Sequence, residues 1–299
     1  MLTESKSYFV KDYAVKLMMN YVIKLIIPYL IFVLIPQPDL HAEGFYIIYT
    51  SNINGTIENC GCGSEPLGGL GRVKSVIGQF KKEHKNVFLI DGGDYFNSYP
   101  YPALNEAMYK AMILLDYDCI LPGDQAFVEG KKFYNEYISG MKDKIILSND
   151  GPEYKRKIKT TIGSNHLEIY GILSPDAFDF IKKPEYLRLS NIADVKLEGS
   201  TGTIFRIAII HGQLDTAEQV TSENLSLDLV LLAHDQQRGV WNTNKTMIIG
   251  NGKDGEYISI IQIKKGSPWE ITVNQKKISE EISEDDQISK LIDEYKETN

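Results

Sequence analysis

Polar side chains follow the apolar, strand-like segments of the chain at short distance. They are Asn52, Asn54, Asp94, Asp124, His211, His234 and Gln236. The carboxyl ends of parallel strands meet at one edge of a sheet, so these side chains are expected to lie close together. The carboxylates and imidazoles among them suit a Zn²⁺, Mn²⁺ or Fe site. Each residue alone is more typical of a turn or an ordinary hydrogen bond, and only the ordered series predicts a metal site.

The first strand-like segment runs into a glycine-rich loop, residues 51–72, that holds two cysteines one residue apart. Cys60 and Cys62 could supply soft thiolates to a metal, or act as a redox pair in an oxidising compartment. They could equally be plain loop thiols, or a disulfide that closes a very small, strained ring. Cys119 stands inside an apolar segment, which predicts a buried thiol. The residues alone leave these readings of Cys60 and Cys62 open.

Strand-like and helix-like segments alternate along the first half of the chain. They are FYIIYT at 45–50, a helix at 68–84, a strand at 86–94, a helix at 102–116 and a strand at 117–124. From residue 144 onward strand-like segments dominate, beginning with KIILSND, and the last stretch is acidic with sparse apolar residues at helical spacing. This alternation predicts a layered α/β fold, with antiparallel strands late in the chain and a solvated helix at its end.

Composition limits the classes of function. A chain of 299 residues can bury a sizeable core, and no repeat or linker divides it, so a single domain is expected. The formal net charge is −8, and basic residues do not cluster with aromatic ones. This balance argues against binding of a nucleic-acid polymer.

The N-terminal segment has the order of features found in secretory signal peptides. Lys24 precedes a short apolar run, Leu25–Ile35, and a polar stretch then ends at the small residue Ala42. The run is shorter than the roughly 20 residues that span a membrane comfortably. We therefore predict a signal peptide over 1–42 and an exported protein, periplasmic or secreted. The alternative is an uncleaved anchor, which would be the chain's only contact with a membrane.

The order of these motifs resembles that of the calcineurin-like metallophosphoesterases, in particular the catalytic domain of the exported 5′-nucleotidases. The matching segments are YTSNINGT, GGLGRVKSVI, VFLIDGGDYF, YDCILPGDQAF, AIIHG, LVLLAHDQQ and IIGNGKDGEYISIIQI, within residues 45–265. The resemblance implies a four-layer αββα sandwich over 43–276, followed by an acidic C-terminal helix, 277–299. It also implies a two-metal site at the strand ends and hydrolysis of phosphate esters.

One of the two implied metal sites is present in the sequence. Asp94 matches the family's bridging aspartate, and Asp124 stands where the family has asparagine in its Gly-Asn-His-Glu motif. His211 and His234 match two histidines at later strand ends. The resemblance therefore implies one divalent transition metal per chain, Zn, Mn or Fe.

The other implied site has lost its ligands. Asn52 and Asn54 replace the aspartate and histidine of the first motif, and Gln236 replaces the last histidine. Gln125 replaces the histidine that acts as general acid, and glutamine cannot deliver a proton to a leaving alkoxide. Two-metal phosphatases stabilise both the attacking and the leaving oxygen. Weak or absent hydrolysis is therefore expected.

Three interpretations of function result. The first is an exported, 5′-nucleotidase-like metallophosphoesterase with one metal site and a phosphorylated small molecule as its ligand. If active, it would be a metal-dependent phosphoric ester hydrolase. The second is a non-catalytic binding protein that uses the same cleft. The third is a thiol-based redox or metal-handling protein built on Cys60 and Cys62, in a loop similar to that of some exported relatives.

Overall fold

The structure, a computed structural model, describes residues 44–59, 65–151, 154–192, 195, 203–224, 226–243 and 246–298. The predicted signal segment, 1–42, lies outside these residues, and so do Cys60 and Cys62. Within the described ranges, none of the helices combines the length and the apolar character needed to cross a membrane.

The described residues form strands and helices that alternate in the first half and become rich in strand later. In chain order they are β1 (Phe45–Thr50), α1 (Leu70–Glu83), β2 (Val87–Asp91), α2 (Pro102–Leu115), β3 (Cys119–Ile120), α3 (Lys131–Met141), β4 (Ile158–Ile162), β5 (Asn165–Leu173), β6 (Ile204–Gly212), α4 (Leu214–Glu223), β7 (Leu229–His234), β8 (Arg238–Thr243), β9 (Thr246–Asn251), β10 (Tyr257–Lys264), β11 (Glu270–Lys277) and α5 (Asp286–Thr298). Short 3₁₀ turns cover Asp124–Phe127 and Pro175–Asp179.

The first sheet has the strand order β11-β10-β1-β2-β3. Strands β1, β2 and β3 are parallel, whereas β10 and β11 add to the sheet as antiparallel strands. Thr50 pairs with Asp91 and Asp91 with Ile120, so the three parallel strands end level with one another. The loops that follow them therefore start side by side.

The second sheet has the order β4-β5-β6-β7-β9-β8, with antiparallel strands only at its two edges. Its four central strands are parallel and largely buried, as expected for strands that are covered on both faces. His211 pairs with Ala233 and Gly212 with His234, so both histidines stand at the same edge of this sheet.

The two sheets pack face to face between layers of helices. Phe45 of β1 contacts Phe205 of β6, with ring centroids 5.5 Å apart, while Tyr46 points the other way and contacts Phe80 of α1. On β6, Ala208 points to the opposite face from Phe205 and packs in a second core beneath α4. The order helix, sheet, sheet, helix confirms the predicted αββα sandwich.

Some local elements differ from the sequence expectation. The segment 144–150 forms only isolated bridges, with Ile145 to Ile120 and with Ile146 to Lys155, because it crosses from one sheet toward the other. Helices α3 and α4 were not predicted. They are short, with 11 and 10 residues, and no Ser, Thr, Asp or Asn stands at the N-cap to signal where they start. The acidic helix α5 contacts α1 and α2 and buries Ile288, Leu291 and Ile292, so one of its faces belongs to the core.

Candidate metal centre

Four side chains from the two sheets meet at the shared edge of the sandwich. Asp94 and Asp124 follow β2 and β3, and His211 and His234 end β6 and β7. One ligand atom from each residue lies within 4.8 Å of all the others. His211 Nε2 is 3.0 Å from Asp124 Oδ1 and 3.2 Å from Asp94 Oδ1, and His234 Nδ1 is 3.3 Å from Asp124 Oδ1. The structure thus brings together the four residues that the sequence predicted as ligands.

The backbone around this cluster is held in an unusual conformation. Asp94 has φ = 55° and His234 has φ = 71°, both in the left-handed region that residues with a Cβ rarely adopt. Such a residue costs about 1–3 kcal/mol and persists only where its surroundings fix it. At Gly123 the fit is also tight, because a Cβ there would stand 2.5 Å from Asp94 Oδ1 and from His211 Cε1. The loops are therefore shaped to bring the four side chains into contact.

A hydrogen bond to the backbone orients His211. Its Nδ1–H donates to the Gly92 carbonyl over 2.9 Å, which leaves Nε2 facing the two carboxylates. The ring is fully buried. Metal-binding histidines commonly use the second ring nitrogen in this way, since the bond fixes both tautomer and orientation.

The electrostatic environment favours the charged forms of Asp94, His211 and His234, the cluster residues whose pKa is shifted. Burial acts to lower the pKa of His211, but the neighbouring Asp94 and Asp124 carboxylates outweigh it and raise that pKa to about 10. Burial likewise opposes charge on His234, and hydrogen bonding to the same carboxylates raises its pKa to about 9. For Asp94, burial acts to raise the pKa, yet the two imidazoles hold it well below its usual range. Protons on the imidazoles thus supply the positive charge that the carboxylates require.

Two atoms of the cluster are buried without a hydrogen bond of good geometry, Asp94 Oδ1 and His234 Nδ1. Among the described residues, their only close partners are other members of the cluster: Asp94 Oδ1 lies 3.2 Å from His211 Nε2, and His234 Nδ1 lies 3.3 Å from Asp124 Oδ1. Both atoms face the other ligand atoms, and the donor set of two carboxylates and two imidazoles is one that binds transition metals. These residues therefore fit a single metal ion, and the group could hold one.

Asn52 lies beside the cluster but is fully used by the backbone. Its Oδ1 accepts from the His234 N–H at 2.8 Å, and its Nδ2 donates to the carbonyls of Gly252 and Asp235 at 2.8 and 3.3 Å. The side chain is completely buried. Asn52 thus joins the ends of β1, β7 and β9, and no donor atom remains free for a metal.

Asn54 belongs to a chain of side-chain hydrogen bonds. Gln125 Nε2 donates to Asn54 Oδ1 at 3.0 Å, and Asn54 Nδ2 donates to Asp254 Oδ1 at 2.9 Å. Asp254 was not predicted as a site residue, although it stands in the turn-rich segment Asn251–Gly255 after β9. Gln236 is exposed. Asn54 and Gln125 therefore bind each other, and Asn54 also binds the turn after β9.

The fold of the described residues is one that known proteins share. The chain has the sandwich of the metallophosphoesterases and 5′-nucleotidases, with a candidate metal cluster at the carboxyl ends of its parallel strands. The predicted resemblance is confirmed at the level of the fold. The Cys-Gly-Cys loop is not part of this result, since it falls outside the described residues.

Solved structures give the particular likenesses. The 5′-nucleotidase precursor from Thermus thermophilus has a TM-score of 0.74 and 12% identity, over 85% of this chain and 59% of that one. The NAD nucleotidase from Haemophilus influenzae has a TM-score of 0.70 and 12% identity, over 85% and 60%. The calcineurin-like phosphoesterase YfkN from Bacillus subtilis has a TM-score of 0.67 and 15% identity, over 85% of this chain and 97% of that one.

These likenesses concern the fold. The chain spans about three fifths of the length of the first two proteins. No protein-family model matches the sequence, and no curated protein matches it.

Proposed function

We propose that this chain is an exported metallophosphoesterase-type protein that binds one divalent transition metal, Zn, Mn or Fe, and a phosphorylated small molecule. The ligands are Asp94, Asp124, His211 and His234. One observation carries the proposal: the four ligand atoms lie within 4.8 Å of one another, and two buried atoms among them make no good hydrogen bond.

Hydrolysis by this site is expected to be weak. A metal held there would polarise a phosphoryl oxygen of the ligand, which is the usual contribution of such an ion. Asn52 is committed to three backbone groups, and Asn54 to Gln125 and Asp254. Gln125 lies next to the cluster but cannot transfer a proton at neutral pH. The chain's own residues therefore bind and orient a phosphate without supplying an acid for the leaving group.

Metal analysis tests the proposal. Purified protein, loaded with Zn²⁺, Mn²⁺ or Fe²⁺ and freed of excess ion, is expected to retain one equivalent per chain. His211→Ala should lose it, whereas His166→Ala, which changes an exposed histidine on β5, should keep it. A wild type that retains no metal would refute the proposal. So would two equivalents that persist after Cys60→Ser plus Cys62→Ser.

Turnover separates a slow enzyme from a proficient one. Release of phosphate from nucleotides and simple phosphate esters is expected to be slow or absent in the metal-loaded wild type. Fast, metal-dependent release that disappears in the double cysteine variant would make Cys60 or Cys62 part of the site. Fast release that persists would show that the missing acid is not required.

Export rests on the order of features in residues 1–42. Amino-terminal sequencing of protein secreted by a bacterial host is expected to find a mature chain that begins near Glu43. Intact protein in the membrane fraction would support the anchor instead.

A further inference from the structure

The carboxyl group of Asp91 stands near the metal centre but is not one of the four candidate ligands. Asp91 ends β2, three positions before Asp94, and is completely buried. Burying a carboxyl group is costly unless hydrogen bonds compensate. Burial raises the pKa of Asp91 to about 7, so its surroundings do not favour its charge. Its hydrogen bonds therefore indicate what it does there.

Both oxygens of this carboxyl group are hydrogen-bonded. Oδ2 accepts from the Thr50 hydroxyl at 2.7 Å, and Oδ1 accepts from the Gly93 N–H at 3.0 Å. Thr50 ends the neighbouring strand β1, and its hydroxyl also lies 2.8 Å from the hydroxyl of the buried Tyr117. One oxygen is thus fixed by the first sheet, and the other holds the turn at residues 92–94.

This turn determines the position of two candidate ligands. It ends in Asp94, and the Gly92 carbonyl within it accepts the 2.9 Å hydrogen bond from His211 Nδ1. Gly93 has φ = 103°, and a Cβ there would stand 2.6 Å from His211 Nδ1. The turn and the imidazole are in such close contact that a displaced turn would displace the ring as well.

The turn also holds the loop after β1. The Asn52 N–H donates to the Gly93 carbonyl at 2.9 Å, and Asn52 Oδ1 accepts from the His234 N–H at 2.8 Å. Hydrogen bonds therefore run from Asp91 through the turn to the backbone of a third candidate ligand.

We infer that Asp91 is a positioning residue for the metal centre. Its hydrogen bond to Gly93 fixes the turn, and the turn sets where the ligand atoms of Asp94 and His211 lie. Residues that hold metal ligands in place commonly contribute about 10–100-fold to metal affinity. The effect on metal binding rests on the proposed function, whereas the hold on the turn is testable without metal.

Metal binding by variants of the full chain tests the inference. Competition with a chelating dye measures zinc affinity, and the visible absorption of bound Co²⁺ reports the coordination geometry. Asp91→Leu keeps the bulk but cannot accept a hydrogen bond, so zinc affinity should fall about 10–100-fold and the Co²⁺ spectrum should change. Asp91→Asn can accept from Gly93 and donate to Thr50, so zinc affinity should stay within about threefold and the spectrum should match the wild type.

A matched control lies at the start of β3. Asp118 Oδ2 accepts from the Leu89 N–H of β2 at 2.8 Å, away from the turn. Asp118→Leu should therefore leave zinc affinity and the Co²⁺ spectrum unchanged. Urea unfolding of the metal-free variants separates a loss of metal affinity from a general loss of structure.

A milder variant covers the case in which Asp91→Leu does not fold. Thr50→Val removes the donor to Asp91 Oδ2, so the carboxyl group is held less firmly against Gly93. Zinc affinity should then fall by about threefold or more. Unchanged affinity and an unchanged Co²⁺ spectrum in this variant would count against the inference.

Amide hydrogen exchange in metal-free protein tests the hold on the turn by itself. In Asp91→Leu the Gly93 amide should exchange faster because it loses its acceptor. The Asn52 amide should also exchange faster because it bonds to a carbonyl of the turn. The Leu89 amide should exchange as in the wild type.

The outcomes distinguish the inference from the proposed function. If the wild type binds metal and Asp91→Leu stays within about twofold of it, the inference is overturned and the metal site stands. An equal loss in Asp91→Asn also overturns it, because charge and not hydrogen bonding would then be the cause. A wild type that retains no metal refutes the proposed function. Faster exchange at Gly93 in Asp91→Leu would then still support the hold on the turn, and unchanged exchange would refute both.

Discussion

Two groups of polar side chains lie at the same edge of the sandwich, and their charges and hydrogen-bonding atoms are satisfied in different ways. The cluster of Asp94, Asp124, His211 and His234 gathers charged groups around a common centre. Among the amides, Asn52 and Asn54 follow β1, and Gln125 lies in the 3₁₀ turn after β3. Asn52 and Asn54 have φ values of 53° and 56°, so they share the left-handed backbone of Asp94 and His234. Both groups are thus built on comparably strained loops.

The difference lies in where their hydrogen bonds end. Each polar atom of Asn52 bonds to a backbone group of another strand end, whereas Asp94 Oδ1 and His234 Nδ1 are left without such a partner. Asn52 and Asn54 are therefore complete without an ion. Gln125 Oε1 is also buried without a hydrogen bond, but an amide oxygen carries no charge that requires a cation. The charged group is complete only with a cation, either protons on the imidazoles or a metal. Strain at a site is accordingly not enough to identify a metal ligand, and the unsatisfied atoms are the better guide.

The largest effect is expected from removing one of the two carboxylates that contact both imidazoles. Asp94→Ala should lower the affinity for zinc about a thousandfold, which corresponds to the 3–5 kcal/mol lost when one partner of a buried charged pair is removed. Competition with a chelating dye measures it. An affinity within tenfold of the wild type would show that Asp94 is not a ligand. The distinction between a metal-binding charged cluster and the amide group would then be wrong.

The pH dependence of metal binding should be the next largest effect. Because the pKa values of His211 and His234 are raised to about 10 and 9, both rings carry protons at pH 7 in the metal-free protein. A metal ion must displace both protons, so its apparent affinity should rise with pH, by about a hundredfold between pH 6 and 7. The rise should level off above the two pKa values. Titrations at several pH values check this, and a flat profile would contradict it.

A change of Asn52 to aspartate tests whether the hydrogen bonds of this amide stabilise the strand ends. Asn52→Asp keeps the shape but cannot donate to the Gly252 and Asp235 carbonyls, and it places a carboxylate against them. Metal-free protein should lose about 2 kcal/mol of unfolding free energy, the usual cost of buried groups left unpaired. Urea unfolding measures the loss, with Asn97→Asp in an adjacent loop as the control. Unchanged stability would mean that Asn52 does not hold the strand ends together.

The smallest effect is expected at Gln125. Gln125→Leu removes one hydrogen bond to Asn54 and no predicted ligand, so zinc affinity should stay within about twofold and stability within about 1 kcal/mol. A loss of metal binding of the size predicted for Asp94→Ala would place Gln125 in the coordination sphere and remove the distinction between the two groups.

The sequence predicts the charged cluster better than the amide group because of how each is encoded. Asp94, Asp124, His211 and His234 each follow their own apolar segment, so a local pattern and the parallel arrangement of strands are enough. The partners of Asn52 are set by tertiary contacts, and Gly252 lies 200 positions away. No local pattern encodes such a contact.

The same distinction applies to the fold. Long apolar strands such as β1, β6 and β7 are predictable because burial on both faces leaves a continuous apolar run. The ten-residue helix α4 is too short to be stable on its own, so tertiary packing decides that it forms. Phe180 is 95% exposed, which is likewise a property of the assembled loops that its sequence neighbours do not reveal.

The distribution of the four candidate ligands over the two sheets affects how the protein opens. Asp94 and Asp124 come from the first sheet, and His211 and His234 come from the second. An ion held by all four would link the two sheets, so the sheets could separate only after the ion is released. Bound metal should therefore slow amide hydrogen exchange in β2 and β6 together. These strands lie in different sheets and are not paired by backbone hydrogen bonds.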